Sequence, residues 1–211
     1  MVRTATAAVE PATAKGRATR RRILDAAAAL MATRGVSEVS LDDVLTASSA
    51  SKSQLYHYFP DRSGLVHAVI DEQRTRVLGF HQPHLDGLAT WEDIDAWCAA
   101  IISAQAGVGC RGGCPLGSLA NDLADRDEPA RRQLSAAFSD WQAMLAAGLT
   151  QMIDAGALRT DADPDSLAVA TIAALQGGLL LAEVEHDTRP LVIALTAAVA
   201  HLRCYATTPP D

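Results

Sequence analysis

Aromatic side chains are scarce: three Trp, three Tyr and three Phe make up 4% of 211 residues, although 49% of the chain is hydrophobic. A core must therefore come mainly from aliphatic side chains, and there are enough of them to exclude a chain disordered throughout. Cysteines number four at irregular spacing, which does not suit a secreted disulfide framework, so free thiols are expected. Cations are outnumbered, 18 Lys and Arg against 25 Asp and Glu for a net charge of −7. That balance excludes a protein that coats nucleic acid with its whole surface. The longest apolar run, Leu167 to Leu181, contains Thr171 and Gln176 and falls short of the roughly 20 residues that cross a bilayer. It reads as a buried helix, and no membrane partner is expected. Met1 to Lys15, rich in Ala and Thr, lacks the apolar block of a secretory signal, so a cytoplasmic location is expected. With no phosphate loop, nucleophile elbow or paired histidine–acid motif, the chain does not read as an enzyme, and no cofactor or metal is expected.

What is present is uneven charge on a helical pattern. Residues 1–66 hold nine Lys and Arg against six Asp and Glu, whereas the remainder is strongly acidic. One end can face a polyanion while the other is repelled by it. Ile23, Ala26, Ala27, Leu30 and Met31 recur at helical spacing and Gly35 stands where a helix stops, which predicts a helix over Arg17–Arg34. Ser40 can cap a short helix over Leu41–Ser48, with Asp42 and Asp43 in its favourable first turn. The tight connection SSAS leads to a second short helix, Ser51–Phe59, which ends at Pro60. Asp61 then caps a helix expected over about Arg62–Leu78.

Two short helices around a tight turn, behind a helix with a basic start, form a helix-turn-helix pattern. On SKSQLYHYF, Leu55 and Phe59 point to one side while Lys52, Ser53, Gln54, Tyr56 and His57 occupy the others and can all hydrogen-bond. Tyr58 and Phe59 are expected in the core; His57 either touches DNA or simply closes the helix. The stretch Thr19–Ile70, above all SKSQLYHYFPDRSGLVHAVI, resembles the DNA-binding domain of the TetR family of transcriptional regulators. The resemblance implies an all-α fold of about nine helices that binds double-stranded operator DNA as a homodimer and responds to a small-molecule effector. It implies that Ser51–Tyr58 enters the major groove, with Lys52, Tyr56 and His57 holding phosphates, Ser53 and Gln54 approaching bases, and Ser40 anchoring the neighbouring helix start. Arg62 stands where many members have lysine, and Ser49 where many have glycine. The expected domains are a flexible arm over 1–16, the helix-turn-helix domain over 17–62, and an effector-binding and dimerisation domain over 63–211.

In that larger part, Thr90 with Asp93 can open a helix at Trp91, clustered acids before Pro129 introduce a long helix ending at Gly156, and Asp163 with Pro164 opens another running to about Glu185. Pro190 opens the last, Leu191–Tyr205. Ala168, Ile172, Leu175, Leu179 and Ala182, together with Val192, Leu195, Val199 and Leu202, make stripes that a two-fold dimer could bury; an intramolecular core is the rival reading. Gly177 and Gly178 imply either a close helix crossing or room for a ligand. A chamber lined by Trp97, Ile101, Gln105, Cys114, Leu116, Leu119, Phe138, Trp141, Leu145, Leu175, Gln176 and Leu179 suits a mainly hydrophobic effector. In the hinge VGCRGGCPLGSLA, Cys110 and Cys114 read first as packing thiols. GCPLGSLA resembles a chamber-wall segment in a subset of the family, so a thiol-based redox trigger at Cys114 is the alternative.

Overall fold

The computed structural model describes residues 11–207, which form nine α-helices and two compact units. The first unit runs through Arg76 and also takes in Ser118–Ser135; the second comprises Val77–Gly117 and the chain from Ala136 onward. Most of the expected 1–16 arm lies outside the described residues. Its last part does not, because Thr13 accepts a bond from the Gly16 N–H and α1 (Ala14–Arg34) starts there, ahead of Arg17.

In the first unit α1 ends at Gly35, whose φ of 81° is the turn conformation that glycine adopts without penalty. Two capping boxes then set the helix-turn-helix. Ser40 and Asp43 exchange side-chain and backbone bonds at the start of α2 (Leu41–Ser48), and Ser51 and Gln54 do the same for α3 (Lys52–Tyr58). Between them Ser49 is left-handed, φ 52°, at a cost of about 1–2 kcal/mol for a residue with a side chain. The turn is held by Arg22 of α1, whose Nε donates to the Ser48 carbonyl at 2.8 Å. Ile23, Leu24, Ala27, Val44, Leu55, Tyr58, Phe59, Leu65 and Ile70 are buried. α4 (Arg62–Leu85), α6 (Pro115–Leu123) and α7 (Glu128–Asp154) also contribute to this unit. Gln133 of α7 bonds the His67 carbonyl at 3.0 Å and Asp71 at 2.6 Å, bracing α4.

α4 continues well past Leu78 to Leu85, with Gly79 and Pro83 inside it. Local propensity predicts a stop there, but His81 and Leu85 are buried in the second unit, and that packing outweighs the hydrogen bond that Pro83 removes. The second unit adds α5 (Trp91–Gly107), α8 (Pro164–Glu185) and α9 (Arg189–Arg203). Thr90 and Asp93 form the expected capping box, and Asp163 caps α8 ahead of Pro164. By length and composition α8 could cross a membrane, its richest window having a mean hydropathy of 1.8. Its Leu167, Ala168, Ile172, Leu175, Leu179 and Ala182 are instead packed inside the unit.

That burial corrects the expected dimer stripe. Ala168, Ile172, Leu175, Leu179 and Ala182 are consumed within the chain, as are Leu195 and Leu202 of α9. The apolar side chains left exposed are Val169, Leu180, Leu181 and Val184 on α8, with Val192 and Ile193 on α9. The adjacent glycines divide between the two sides. A Cβ on Gly178 would lie 2.9 Å from the Ala194 Cβ and 3.1 Å from the Leu191 Cα, so this glycine permits the α8/α9 crossing. Gly177 faces no atom within 4 Å.

Candidate nucleic-acid interface and regulatory core

α3 separates its side chains cleanly. Leu55, Tyr58 and the following Phe59 are buried, while Ser51, Lys52, Ser53, Gln54, Tyr56 and His57 are exposed, Tyr56 at 44%. A helix of this length with three anchors below and a continuous polar surface above can present donors and a cation to a groove without unfolding its own core. The phenol of Tyr56 is the one large ring of the helix left in solvent, whereas Arg20 of α1 stacks its guanidinium over Phe59 at 5.6 Å.

Four candidate residues carry structural duties, among them Ser51, whose hydroxyl accepts the Gln54 N–H at 3.2 Å. Ser40 accepts from the Asp43 N–H at 3.1 Å, and its own N–H and hydroxyl donate to the Asp43 carboxylate. Those bonds hold Asp43 below the usual carboxylate range. Gln54 uses its Oε1 to accept the Ser51 N–H at 3.0 Å, so its amide is already oriented. Arg62 is the largest departure from expectation: its guanidinium is partly buried and donates to the Val39 carbonyl at 3.0 Å and to the Val36 carbonyl. Asp122 of α6 accepts the Val36 N–H at 2.8 Å, so the α1–α2 loop is pinned from two directions. Reading Arg62 for its charge overlooked the bare carbonyls of a loop that has no ladder to satisfy them.

In the second unit four rings assemble. Trp141 of α7 stacks on His81 of α4, with centroids 4.4 Å apart and planes 27° apart, and Phe138 lies nearly parallel to it at 6.3 Å and 18°. Trp97 of α5 meets His81 edge-on and donates its indole N–H to Nδ1 at 3.0 Å. Burial, with a smaller contribution from His84, pushes the His81 pKa down to about 4. The sequence reading brought forward Trp97, Phe138 and Trp141 but missed His81, whose only signal was its spacing between Leu78 and Leu85 on one helix face.

The hinge meets α8 at Gly112 and Cys114. Glu183 accepts the Gly112 N–H at 3.1 Å, and the Gln176 amide lies beside Cys114 and Gly117. Cys110 and Cys114 are both buried free thiols, Cys110 at a left-handed φ of 53°. Burial pushes the Cys114 thiol up despite bonds from the Gly117 and Leu116 N–H groups and from Gln176. A raised pKa leaves little thiolate, which disfavours the redox alternative. Of the remaining chamber candidates, Ile101, Leu116, Leu145, Leu175 and Leu179 are buried in this unit, Gln105 is half-buried, and Leu119 belongs to the first unit. Two surface grooves of about 370 and 400 Å³ lie elsewhere, the second between α5 and α9 at Cys98, Ile102, Leu195 and Val199.

A basic-ended three-helix head whose third helix is exposed and polar defines a helix-turn-helix DNA-binding protein. Residues 23–69 match the family described as bacterial regulatory proteins, tetR family, and residues 91–198 match the tetracyclin repressor-like C-terminal domain. The chain belongs to the TetR family of transcriptional regulators. It is 32% identical over 180 residues to an uncharacterized HTH-type transcriptional regulator of Lactococcus lactis, covering 83% of this chain and 88% of that one. It is 30% identical to the transcriptional regulator AcuR of Cereibacter sphaeroides, covering 75% and 73%. The crystal structure of a TetR regulatory protein from Rhodobacter sphaeroides superposes with a TM-score of 0.78 at 24% identity, covering 87% of this chain and 98% of that one, which shows the same fold.

Proposed function

We propose that the protein is a dimeric repressor whose two α3 helices read successive major grooves of a near-palindromic operator, and which a small, mainly hydrophobic effector releases. The observation that carries this reading is the exposed row Lys52, Ser53, Gln54, Tyr56 and His57 over the buried Leu55, Tyr58 and Phe59. Lys52, Tyr56 and His57 hold phosphates, Ser53 and Gln54 approach base edges, and Ser40, Ser51 and Arg62 act by fixing the helices that carry them. Residues 17–62 read DNA and residues 63–211 bind the effector and dimerise. Repression is supported by a relative named as a repressor, DhaR of Mycobacterium sp. strain GP1, 26% identical over 168 residues.

Effector binding shifts the equilibrium between two spacings of the reading heads by the difference in its affinity for them. On DNA, half-sites lie about 34–36 Å apart, one turn of the duplex. Sequencing of genomic fragments selected by the purified protein, followed by footprinting and a salt titration, tests the assignment. A palindromic footprint is expected, and Lys52→Ala is expected to lower affinity and to reduce the salt slope by about one. Unchanged affinity in both Lys52→Ala and Tyr56→Ala removes α3 as the reading helix.

A further inference from the structure

The regulatory core contains two buried N–H donors that meet no nitrogen or oxygen acceptor. Trp141 is 1% exposed, yet its Nε1 has no hydrogen-bond partner. The Nε2 of Gln176 is likewise buried and unpartnered by any nitrogen or oxygen, its amide lying against the Cys114 thiol, and sulfur is a weak acceptor. Both belong to the second unit. A native fold seldom leaves such groups unsatisfied, because each costs about 1–3 kcal/mol, and a donor kept free in a core is a group held ready for an acceptor.

The surroundings select the kind of acceptor. His81 stacks on the Trp141 ring and Phe138 lies nearly parallel 6.3 Å away, while the N–H on the ring's edge is the part left without a partner. His81 is held neutral by burial and by its bond from Trp97, and so lends no positive charge. Two turns beyond Gln176 on α8 stands Glu183, a carboxylate bonded to the Gly112 N–H. An anionic guest would trade water for two neutral donors in the neighbourhood of a negative charge, which does not repay its desolvation. A neutral carbonyl or ether oxygen meets no such penalty.

We infer that the effector is a neutral, mostly apolar molecule whose oxygen acceptors are taken by Trp141 Nε1 and Gln176 Nε2, and that this core discriminates against carboxylates. The inference rests on the effector-binding reading above. It is tested on the full chain, without DNA, by calorimetry and tryptophan fluorescence with acetophenone, benzoate and ethylbenzene, probes of similar size that differ in the acceptor. Acetophenone is expected to bind at least tenfold tighter than either of the others. Acetophenone carries one oxygen, so at least one of Gln176→Leu and Trp141→Phe is expected to erase roughly a fivefold share of that preference, the worth of one neutral hydrogen bond, and a preference kept by both variants overturns the inference. Gln176→Leu removes one donor without touching the aromatic stack, so it remains informative if Trp141→Phe fails to fold. Benzoate binding as tightly as acetophenone, equal binding of ethylbenzene, or no binding by any of the three overturns the inference. Selective acetophenone binding that leaves the protein on its DNA would instead keep this site and refute release as its purpose.

Discussion

The indole N–H of Trp97 donates to Nδ1 of His81 at 3.0 Å, in a site where His81 is 5% exposed. An indole nitrogen can only donate, so Nδ1 must be the acceptor and the His81 proton sits on Nε2. The bond fixes both the tautomer and the neutral state of the ring on which Trp141 stacks.

From this follows a pH dependence of stability. His81 titrates near pH 4 in the folded chain against 6.5 for a free side chain, because burial penalises its charged form. Between those values the unfolded chain binds a proton that the native chain refuses. Stability from this group is therefore complete above pH 6.5 and declines as the pH falls toward 4, by about 3 kcal/mol in all. Urea midpoints measured across that window should show the decline, and His81→Gln, which offers an acceptor to Trp97, should flatten it. The same slope in both proteins would remove His81 as its source.

Gly177 and Gly178 should respond oppositely to the same change. Gly178→Ala drives a methyl group to 2.9 Å from the Ala194 Cβ, closer than packed carbons tolerate, so α8 and α9 must part. A loss of about 1–3 kcal/mol is expected, the usual cost of overpacking. Gly177→Ala meets nothing of its own chain within 4 Å and, measured on the monomeric Leu181→Glu background so that no second copy faces it, should add about 0.5–1 kcal/mol by removing backbone freedom from the unfolded chain. Equilibrium denaturation of the two variants side by side decides the matter: equal shifts would contradict the placement of the crossing.

What was legible in the sequence was the chemistry that acts over a few residues. Ser40 with Asp43, Thr90 with Asp93, and Asp163 before Pro164 could be placed because a cap is a local bond between a side chain and the next turn. The two sides of α3 were legible because its apolar residues are few and regularly spaced. α8 was not, since it is apolar on nearly every side, and periodicity then cannot say that Ile172 and Leu175 face inward while Leu180 and Val184 face out. The end of α4 was missed because a buried His81 and Leu85, supplied with partners by distant helices, override Gly79 and Pro83. The roles of Arg62 and His81 depend on acceptors and rings from other helices or loops, which no local pattern discloses.

The thiols give a third prediction. Cys98 and Cys114 are buried and burial raises both, Cys98 to about 11, while Cys110 is buried and Cys204 alone is exposed. Thiolate is the reactive form, so N-ethylmaleimide at pH 7.5 should label Cys204 first, with the other three roughly a hundredfold slower until the chain is unfolded. Peptide mass spectrometry over a time course reads this directly. Prompt labelling of Cys114 in the native protein would restore the thiol trigger that its burial argues against.

The exposed face of α8 and α9 gives the last. Val169, Leu180, Leu181, Val184 and Ile193 are all more than a third exposed, Val184 at 71%, and Gly177 lies on the same side of α8, whereas the exposed Val192 lines the groove toward α5. So many large apolar side chains are seldom left in water, and in the proposed dimer a second copy related by a two-fold axis would cover this face with itself. Leu181→Glu and Val184→Glu place carboxylates at that seam without disturbing Leu175, Leu179 or Ala182, which pack inward. Each should weaken self-association by at least about thirtyfold, the effect of losing about 2 kcal/mol at an interface. Sedimentation equilibrium should show a dimer for the parent and a monomer for each variant, with the helical circular dichroism signal retained. Operator affinity should fall with it, because one reading head holds only half of the contacts. A dimer that survives both substitutions would place the interface elsewhere, with the groove between α5 and α9 as the next surface to test by the same method.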